Sequence, residues 1–228
     1  MTTSLLHGPE ALPAPRRRAG QPVPSVRLEA RHWEAGEVVA GVDEVGRGSW
    51  AGPVTFAAVV LPRSRRIYKL RDSKLLRPEQ RDRLSARVHA LALGVGLGHA
   101  GNDEIDRVGM SLAMRRAARR AVEALPLRPD ALLLDGSWDF LADYPTSNRT
   151  IVAGDAYSAS IAAASIVAKV ARDRLMVEAA PGRPAYAFDA NKGYPSPEHR
   201  HALATFGPCD LHRRSWAPVS ALLQPTLL

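Results

Sequence analysis

Hydrophobic and polar positions fall into two regimes along this chain. Residues 1 to about 25 show no periodicity and are broken by proline and arginine, as in Leu12-Pro13-Ala14-Pro15-Arg16-Arg17-Arg18 and Gln21-Pro22-Val23-Pro24. Such a segment cannot bury enough apolar surface to offset its ordering entropy. The pattern therefore predicts a disordered leader over 1–25 and one globular domain over 26–228. Val38 to Val45 and Val54 to Leu61 are nearly continuous apolar runs, as expected of two hairpin strands buried on both faces. A third strand is expected around Leu91 to Ala100, where alternating glycines dilute the signal. Pro78 opens a helix from Glu79 to about Ala90, with Leu84, Val88 and Leu91 at helical spacing. Met110 to Leu125 is another, apolar at Leu112, Ala113, Ala117, Ala121 and Val122 and arginine-rich opposite.

Leu132 to Asp135 and Thr150 to Ala153 read as short strands. Ala156 to about Val177 reads as a long helix whose alanines permit close packing on a sheet. A shorter helix from Pro197 to about Thr205 and one around Val219 complete the order. Three strands followed by strands alternating with helices indicate an α/β domain with a mixed sheet. Periodicity carries no further than that class.

Composition narrows the setting. A chain of 228 residues suits a single domain with a full core. No apolar run approaches the length of a membrane span, and the Pro/Arg-rich start lacks the hydrophobic stretch of a secretory signal, so a cytoplasmic protein without membrane association is expected. Cys209 stands alone, which excludes an internal disulfide and a multi-cysteine zinc site. Formal net charge is +8, which favours a polyanionic partner without saying which. Arginine pairs such as Arg65-Arg66, Arg115-Arg116, Arg119-Arg120 and Arg213-Arg214 are spread along the chain and read equally as nucleic-acid contacts or as solvated faces.

The chemistry concentrates in Val42-Asp43-Glu44-Val45-Gly46-Arg47-Gly48-Ser49-Trp50-Ala51-Gly52-Pro53, at the junction of the first two strands. A carboxylate at the end of an apolar strand must be neutralised, hydrogen-bonded or bound to a cation, and two in a row make a hard-cation site the simplest explanation. Gly46 and Gly48 let a backbone approach a ligand closely while Arg47 adds a fixed positive charge, which suits phosphate or sugar chemistry. Asp135 ends another apolar strand, although Asp135-Gly136 also reads as a turn. Asp155 precedes the long alanine-rich helix, where a helix N-cap is the plainer use. Neighbours on a regular strand point to opposite faces, so Asp43 and Glu44 can share a site only if the strand ends or twists there. Asp173 lies about five turns down the long helix from Asp155 and is expected to form a local ion pair. Asp103, Asp106, Asp139 and Asp143 are assigned to caps, turns and ion pairs, and His199 and His212 to packing.

These stretches resemble the signature of type 2 ribonucleases H, the ribonuclease HII family. Asp72-Ser73-Lys74, Glu104-Ile105-Asp106, Asn191-Lys192-Gly193-Tyr194 and His212-Arg213-Arg214-Ser215-Trp216 match further motifs in the same order, so the likeness spans roughly residues 36 to 218. The resemblance implies a ribonuclease H-like fold, with a five-stranded mixed sheet whose first strand is central, flanking helices, and C-terminal helices capping the substrate groove. It further implies that Asp43, Glu44, Asp135 and Asp155 hold two Mg²⁺ or Mn²⁺ ions, with Asp43 bridging them. A pair of ions about 4 Å apart can activate water, stabilise charge at phosphorus and stabilise the leaving 3′-oxygen.

By the same resemblance, the backbone around Gly46, Arg47 and Gly48 reads the 2′-hydroxyl and the Tyr194 ring stacks on the next, deoxy, sugar. Lys74, Lys169 and Lys192 fall in matching motifs and are candidates for phosphates, with Ser165 as a local cap or phosphate contact. The implied substrates are RNA/DNA hybrids and duplex DNA carrying single ribonucleotides, cut 5′ of the ribonucleotide to leave 3′-hydroxyl and 5′-phosphate ends by a monomeric endonuclease. Asn191 departs from the histidine common at its position, and Gly109 from an asparagine. The ribonuclease HIII branch carries a folded N-terminal domain, for which this leader is too short. A noncatalytic nucleic-acid binder on the same fold is the other alternative, and it gains nothing from clustered acids. Finally, Gln224-Pro225-Thr226-Leu227-Leu228 loosely resembles the Gln-led, Leu-ended peptides by which bacterial replication and repair enzymes dock on the sliding clamp, which adds the clamp as a candidate partner.

Overall fold

A computed structural model describes residues 23–64 and 76–223. The leader to residue 22, the Arg65-Arg66 pair, the Asp72-Ser73-Lys74 motif and the C-terminal residues 224–228 lie outside the described residues.

Five strands form one mixed sheet in the order β3-β2-β1-β4-β5. They are β1 (Val39–Val45), β2 (Val54–Val60), β3 (Gly94–Ala100), β4 (Ala131–Asp135) and β5 (Ser147–Ile151). β1 is central, antiparallel to β2 and parallel to β4. The third strand starts at Gly94 and not near Leu91, because the preceding helix α2 (Pro78–Leu91) keeps its last turn. The fifth is displaced from Thr150–Ala153 to Ser147–Ile151. Its sequence Ser-Asn-Arg-Thr-Ile carries no apolar run, since an edge strand needs only pairing to β4, from Ala131↔Ser147 to Asp135↔Ile151.

Alternation along β1 assigns the two faces. Ala40 and Val42 pack with Ala113, Ala117 and Ala121 of α4 (Met110–Glu123), while Val39 packs with Ile161 of α5 (Ala159–Ala179). α5 lies very close to the sheet at Gly41, where a Cβ would come within 2.2 Å of the Ser160 backbone. Glycine on the strand and alanines on the helix thus bring the α5 side chains down onto the end of β1.

Three short helices escaped the periodicity reading, α1 (Arg27–Glu34), α3 (Asn102–Val108) and α6 (Phe188–Asn191). α1 places the buried Glu29 at the start of α5, where its Oε1 accepts hydrogen bonds from Ser158 Oγ (2.6 Å), Ser160 N (2.8 Å) and Ser160 Oγ (2.7 Å). The long helix is capped by Ser158, whose Oγ accepts from Ile161 N, so Asp155 is not the N-cap and sits instead in a short 3-10 turn, Gly154–Ala156. Beyond α5 come α6 (Phe188–Asn191), α7 (Pro197–Phe206) and α8 (Ala217–Leu223). Leu203 and Val219 from this region join Met176, Phe188 and Ala51 in a separate apolar cluster beside the Gly46–Pro53 turn. The C-terminal helices therefore brace the loop that follows the two adjacent acids.

Candidate active site

The acids meet where two parallel strands part. The last β1–β4 rung is Val42↔Leu134, and the next residues are Asp43 and Asp135. Both continue the alternation that faces α5. Glu44 starts on the opposite face, yet one oxygen from each of Asp43, Glu44 and Asp135 falls within 4.8 Å of the others. Of the two ways the sequence left open, an end or a twist of the strand, the strand does not end here: its pairing with β2 continues through Glu44↔Phe56 and Val45↔Thr55. What ends is the pairing with β4, whose last rung is Val42↔Leu134.

Local bonds orient the carboxylates. Glu44 N–H donates to Asp43 Oδ1 (2.7 Å), and Gly154 N–H donates to Asp135 Oδ1 (2.7 Å). The second bond ties β4 to the turn that carries Asp155. Asp43 is buried, and its carboxyl is pushed well above the usual range by desolvation first, then by the charges of Asp135 and Glu44, with Asp155 adding a smaller push. A hydrogen bond with Ser165 of α5 works the other way. Asp155, also buried, therefore acts on the same locus electrostatically while lying outside the tight group of three.

An all-oxygen donor set whose members repel one another fits a hard divalent cation, which would relieve both the burial cost and the repulsion. Asp43, Glu44 and Asp135 could each supply an oxygen, with Asp155 alongside.

The turn after the acids is built on a glycine. Gly46 has φ +89°, and a Cβ there would lie 2.1 Å from Arg172 Nε. Gly46 is buried, whereas Arg47 and Gly48 are exposed. Gly48 has no such demand, since a Cβ there would meet nothing within 4 Å. Beside it, Trp50 N–H and Ala51 N–H both donate to Gly193 O (2.8 and 3.3 Å), docking the Asn191–Tyr194 segment on the turn.

Tyr194 lies between cations, its ring centroid 5.2 Å from the Arg172 guanidinium carbon and 5.5 Å from Lys169 Nζ. Lys169 is also held by Asp173 (2.7 Å), the local ion pair expected for that acid. Lys192 Nζ bonds to Asp189 O. A groove of about 550 Å³ is lined by Arg81, Lys169, Arg174, Lys192 and Tyr194 together with Asp82, Asp173 and Glu178, so its wall carries both signs of charge. Lys74 lies outside the described residues.

Sequence reasoning missed the two most buried cations. Arg172 and Arg213 are each 0% exposed, so Arg213 is not a solvated member of an arginine pair. Arg172 donates to Pro53 O, Lys192 O, Ser49 Oγ and Ala51 O (2.7 to 3.0 Å). Arg213 donates to Gly52 O, Arg47 O, Ser49 O and Gly46 O (2.6 to 3.0 Å). Burial lowers both pKa values, that of Arg213 to about 9 with Arg172 as the second cause. The available signal was only that both arginines fall inside recognisable motifs.

His199 and His212 are packed as expected, and are linked. His199 Nδ1 contacts Tyr194 O (2.8 Å), an atom that can only accept, so Nδ1 carries the proton and Nε2 accepts from His212 Nε2 (2.9 Å). His212 Nδ1 then accepts from Cys209 N–H (3.0 Å). Asp106, Asp139 and Asp143 behave as assigned, Asp139 accepting from Leu141 N–H (2.9 Å), and Glu104 adds a pair the sequence reading did not assign. Glu104 pairs with Arg120 and Arg116, Asp106 accepts from the backbone of Arg214 and Ser215, and Asp143 pairs with Arg119. Asn191 bridges Tyr186 O and Gly193 N, and Gly109 (φ +79°) joins α3 to α4, so neither departure touches the acids.

Comparison with known proteins gives a consistent result. A family model described as Ribonuclease HII matches residues 40–219. The Ribonuclease HII of Streptomyces avermitilis is 47% identical over 203 residues, covering 89% of this chain and 87% of that protein. That of Thermus thermophilus is 46% identical over 195 residues, covering 85% and 93%. Among solved structures, ribonuclease H2 from Pyrococcus horikoshii superposes with a TM-score of 0.69 at 26% identity, covering 81% of this chain and 96% of that one. The ribonuclease HII of Archaeoglobus fulgidus, solved in complex with PCNA, gives 0.68 at 23%, covering 83% and 98%, a likeness of fold alone.

Proposed function

Because the chain belongs to the ribonuclease HII family, and so is an endonuclease of the ribonuclease H class, we propose that it cuts the RNA strand of RNA/DNA hybrids and the 5′ side of single ribonucleotides embedded in duplex DNA, leaving 3′-hydroxyl and 5′-phosphate ends. The observation that carries this reading is the buried Asp43 carboxylate, crowded by Glu44 and Asp135 and felt by Asp155, beside a glycine-arginine-glycine turn whose Arg47 and Gly48 are exposed.

In this reading Asp43, Glu44, Asp135 and Asp155 hold Mg²⁺ or Mn²⁺ in a two-ion site. When bound, such ions activate water and offset charge at phosphorus and at the leaving oxygen. The chain's own residues do the rest. Ser165 and the Glu44 N–H fix the Asp43 carboxylate, and Gly154 N–H fixes that of Asp135. The backbone around Gly46, Arg47 and Gly48 meets the 2′-hydroxyl, which both donates and accepts and is the group that separates RNA from DNA at one nucleotide. Tyr194, held against Arg172 and Lys169, stacks on the following deoxy sugar, where a second 2′-hydroxyl would intrude. Lys74, Lys169 and Lys192 contribute positive charge along the phosphates.

The deciding assay offers a duplex with one ribonucleotide, an RNA/DNA hybrid and an all-DNA duplex, each with and without Mg²⁺ or Mn²⁺, and maps the cut. One cut 5′ of the ribonucleotide that requires the divalent ion, and none in all-DNA, is the expected result. Cleavage of all-DNA, or cleavage in chelator, overturns the reading. Docking on a sliding clamp through residues 224–228 belongs to the same proposal, and removing them is expected to abolish clamp binding and leave cleavage intact.

A further inference from the structure

Two guanidiniums are buried beneath the turn that follows the acids, and every hydrogen bond they make among the described residues goes to a neutral oxygen. Neither forms an ion pair among the described residues, although a buried charge ordinarily demands one. The nearby acids are engaged elsewhere, Asp173 with Lys169 and Asp106 with the backbone of Arg214 and Ser215. The neutral partners are concentrated in the turn, where Gly46 O, Arg47 O, Ser49 O, Ala51 O, Gly52 O and Pro53 O are all drawn inward.

That arrangement fixes the opposite side of each peptide. In a trans peptide the N–H points away from the C=O of the same plane. Since Gly46 O and Arg47 O both face Arg213, the N–H groups of Arg47 and Gly48 face away from it, toward the exposed side. Other amides of the turn are used internally: Ser49 N by Gly46 O, Trp50 N and Ala51 N by Gly193 O, Gly52 N by Leu211 O. The Arg47 and Gly48 amides have no backbone acceptor among the described residues. They form two successive outward donors, backed by two buried positive charges and next in sequence to Asp43 and Glu44. Gly48 adds an independent sign. Its backbone does not require glycine and a Cβ would meet nothing within 4 Å, so the protein itself has no use for the open space.

We propose that Arg172 and Arg213 are positioning residues for ribonucleotide specificity: together they turn the Arg47 and Gly48 amides outward to receive an oxygen of the ribose or its phosphate, and Arg172 locks the Tyr194 ring into the same frame. Arg172 reaches both halves at once, through Ser49 Oγ, Ala51 O and Pro53 O on one side and through Lys192 O and the Tyr194 ring on the other. Only a planar fork of five donors can span so many carbonyls, and lysine keeps the charge while losing that geometry.

The inference rests on the proposed function, and the test separates the two. Arg172→Lys, Arg213→Lys and Gly48→Ala are compared with the parent in thermal stability, Mn²⁺ affinity by calorimetry, and kcat and KM on a duplex with one ribonucleotide. Each lysine variant is expected to lose at least about tenfold in kcat/KM, the equivalent of ~1.4 kcal/mol, while Mn²⁺ affinity stays unchanged. A smaller loss overturns the proposal, as does a loss of Mn²⁺ affinity in step with cleavage, which would place the effect at the acids. Should a lysine variant fail to fold, Gly48→Ala decides: an unchanged melting temperature with at least a tenfold loss of kcat/KM supports the outward amide face, and parental activity removes it. A parent that cuts no ribonucleotide-containing duplex refutes the proposed function instead.

Discussion

Asp43 and Asp135 occupy adjacent parallel strands one position beyond their last shared rung, Val42↔Leu134, and with Glu44 they bring carboxylate oxygens within 4.8 Å of one another. The place is set by strand geometry. Up to Val42 and Leu134 the alternating positions are filled by core side chains, and beyond them the strands separate, so the first residues facing the gap are the first that can be polar.

Replacing Asp43 by asparagine is expected to separate stability from activity. The carboxyl is held above its usual pKa by burial and by Asp135 and Glu44, so without metal the ionised group opposes folding. Asp43→Asn should melt at a higher temperature than the parent in chelator, gain little from added Mn²⁺, and lose more than about 100-fold in cleavage, since even outer-shell partners of metal sites are worth roughly 10–100-fold. Melting curves with and without Mn²⁺, beside the cleavage assay, check all three. Retained turnover in either metal removes Asp43 from the site.

Tyr194→Ala should cost far more in recognition than in folding. The residue is only partly buried and its ring lies against the Arg172 and Lys169 cations, so its removal opens no core cavity. Aromatic stacking on nucleic acid is worth ~1–3 kcal/mol by alanine substitution, which predicts a tenfold or greater fall in kcat/KM on a single embedded ribonucleotide. Tyr194→Phe should retain most of the activity. If the melting temperature falls in proportion to activity, the tyrosine is a packing residue.

Acid should weaken the fold through the linked histidines. Burial lowers the pKa of both His199 and His212, that of His212 to about 4 with the neighbouring His199 as the second cause. The unfolded chain takes up these protons near pH 6.5 and the folded chain does not. Their contribution is therefore complete above about pH 6.5 and is lost as the pH falls toward 4, by up to ~3 kcal/mol for His212. Asp43 has the opposite sign, its raised pKa favouring folding at low pH, so the measurement belongs in the Asp43→Asn background. Denaturant midpoints between pH 7 and pH 4 should fall there, and the fall should shrink in Asp43→Asn/His212→Gln. A flat profile contradicts the neutral, buried pair.

Local pattern located most of the frame and marked the adjacent pair Asp43 and Glu44, whereas Asp135 and Asp155 read locally as a turn and a helix cap and joined the set only through the family resemblance. β1, β2 and β4 are runs whose residues are buried on both faces, and acids ending such runs are conspicuous because an apolar strand has no other use for them. α5 declared itself through small residues that only close packing rewards. Long-range partners decided the rest. β5 has no apolar signature because its place comes from β4's open edge, and Glu29 is the buried cap of a helix whose start lies more than a hundred residues away. Asp155 looked like a cap until Ser158 took that role. Arg172 and Arg213 carry nothing in their own neighbourhoods to mark them as buried, since the carbonyls that solvate them belong mainly to residues 46–53, up to 167 positions away. Burial of an apolar side chain can be read from its neighbours in sequence, because the period of a strand or helix repeats it. Burial of a charge depends on acceptors converging from distant segments, and only the tertiary fold brings those together.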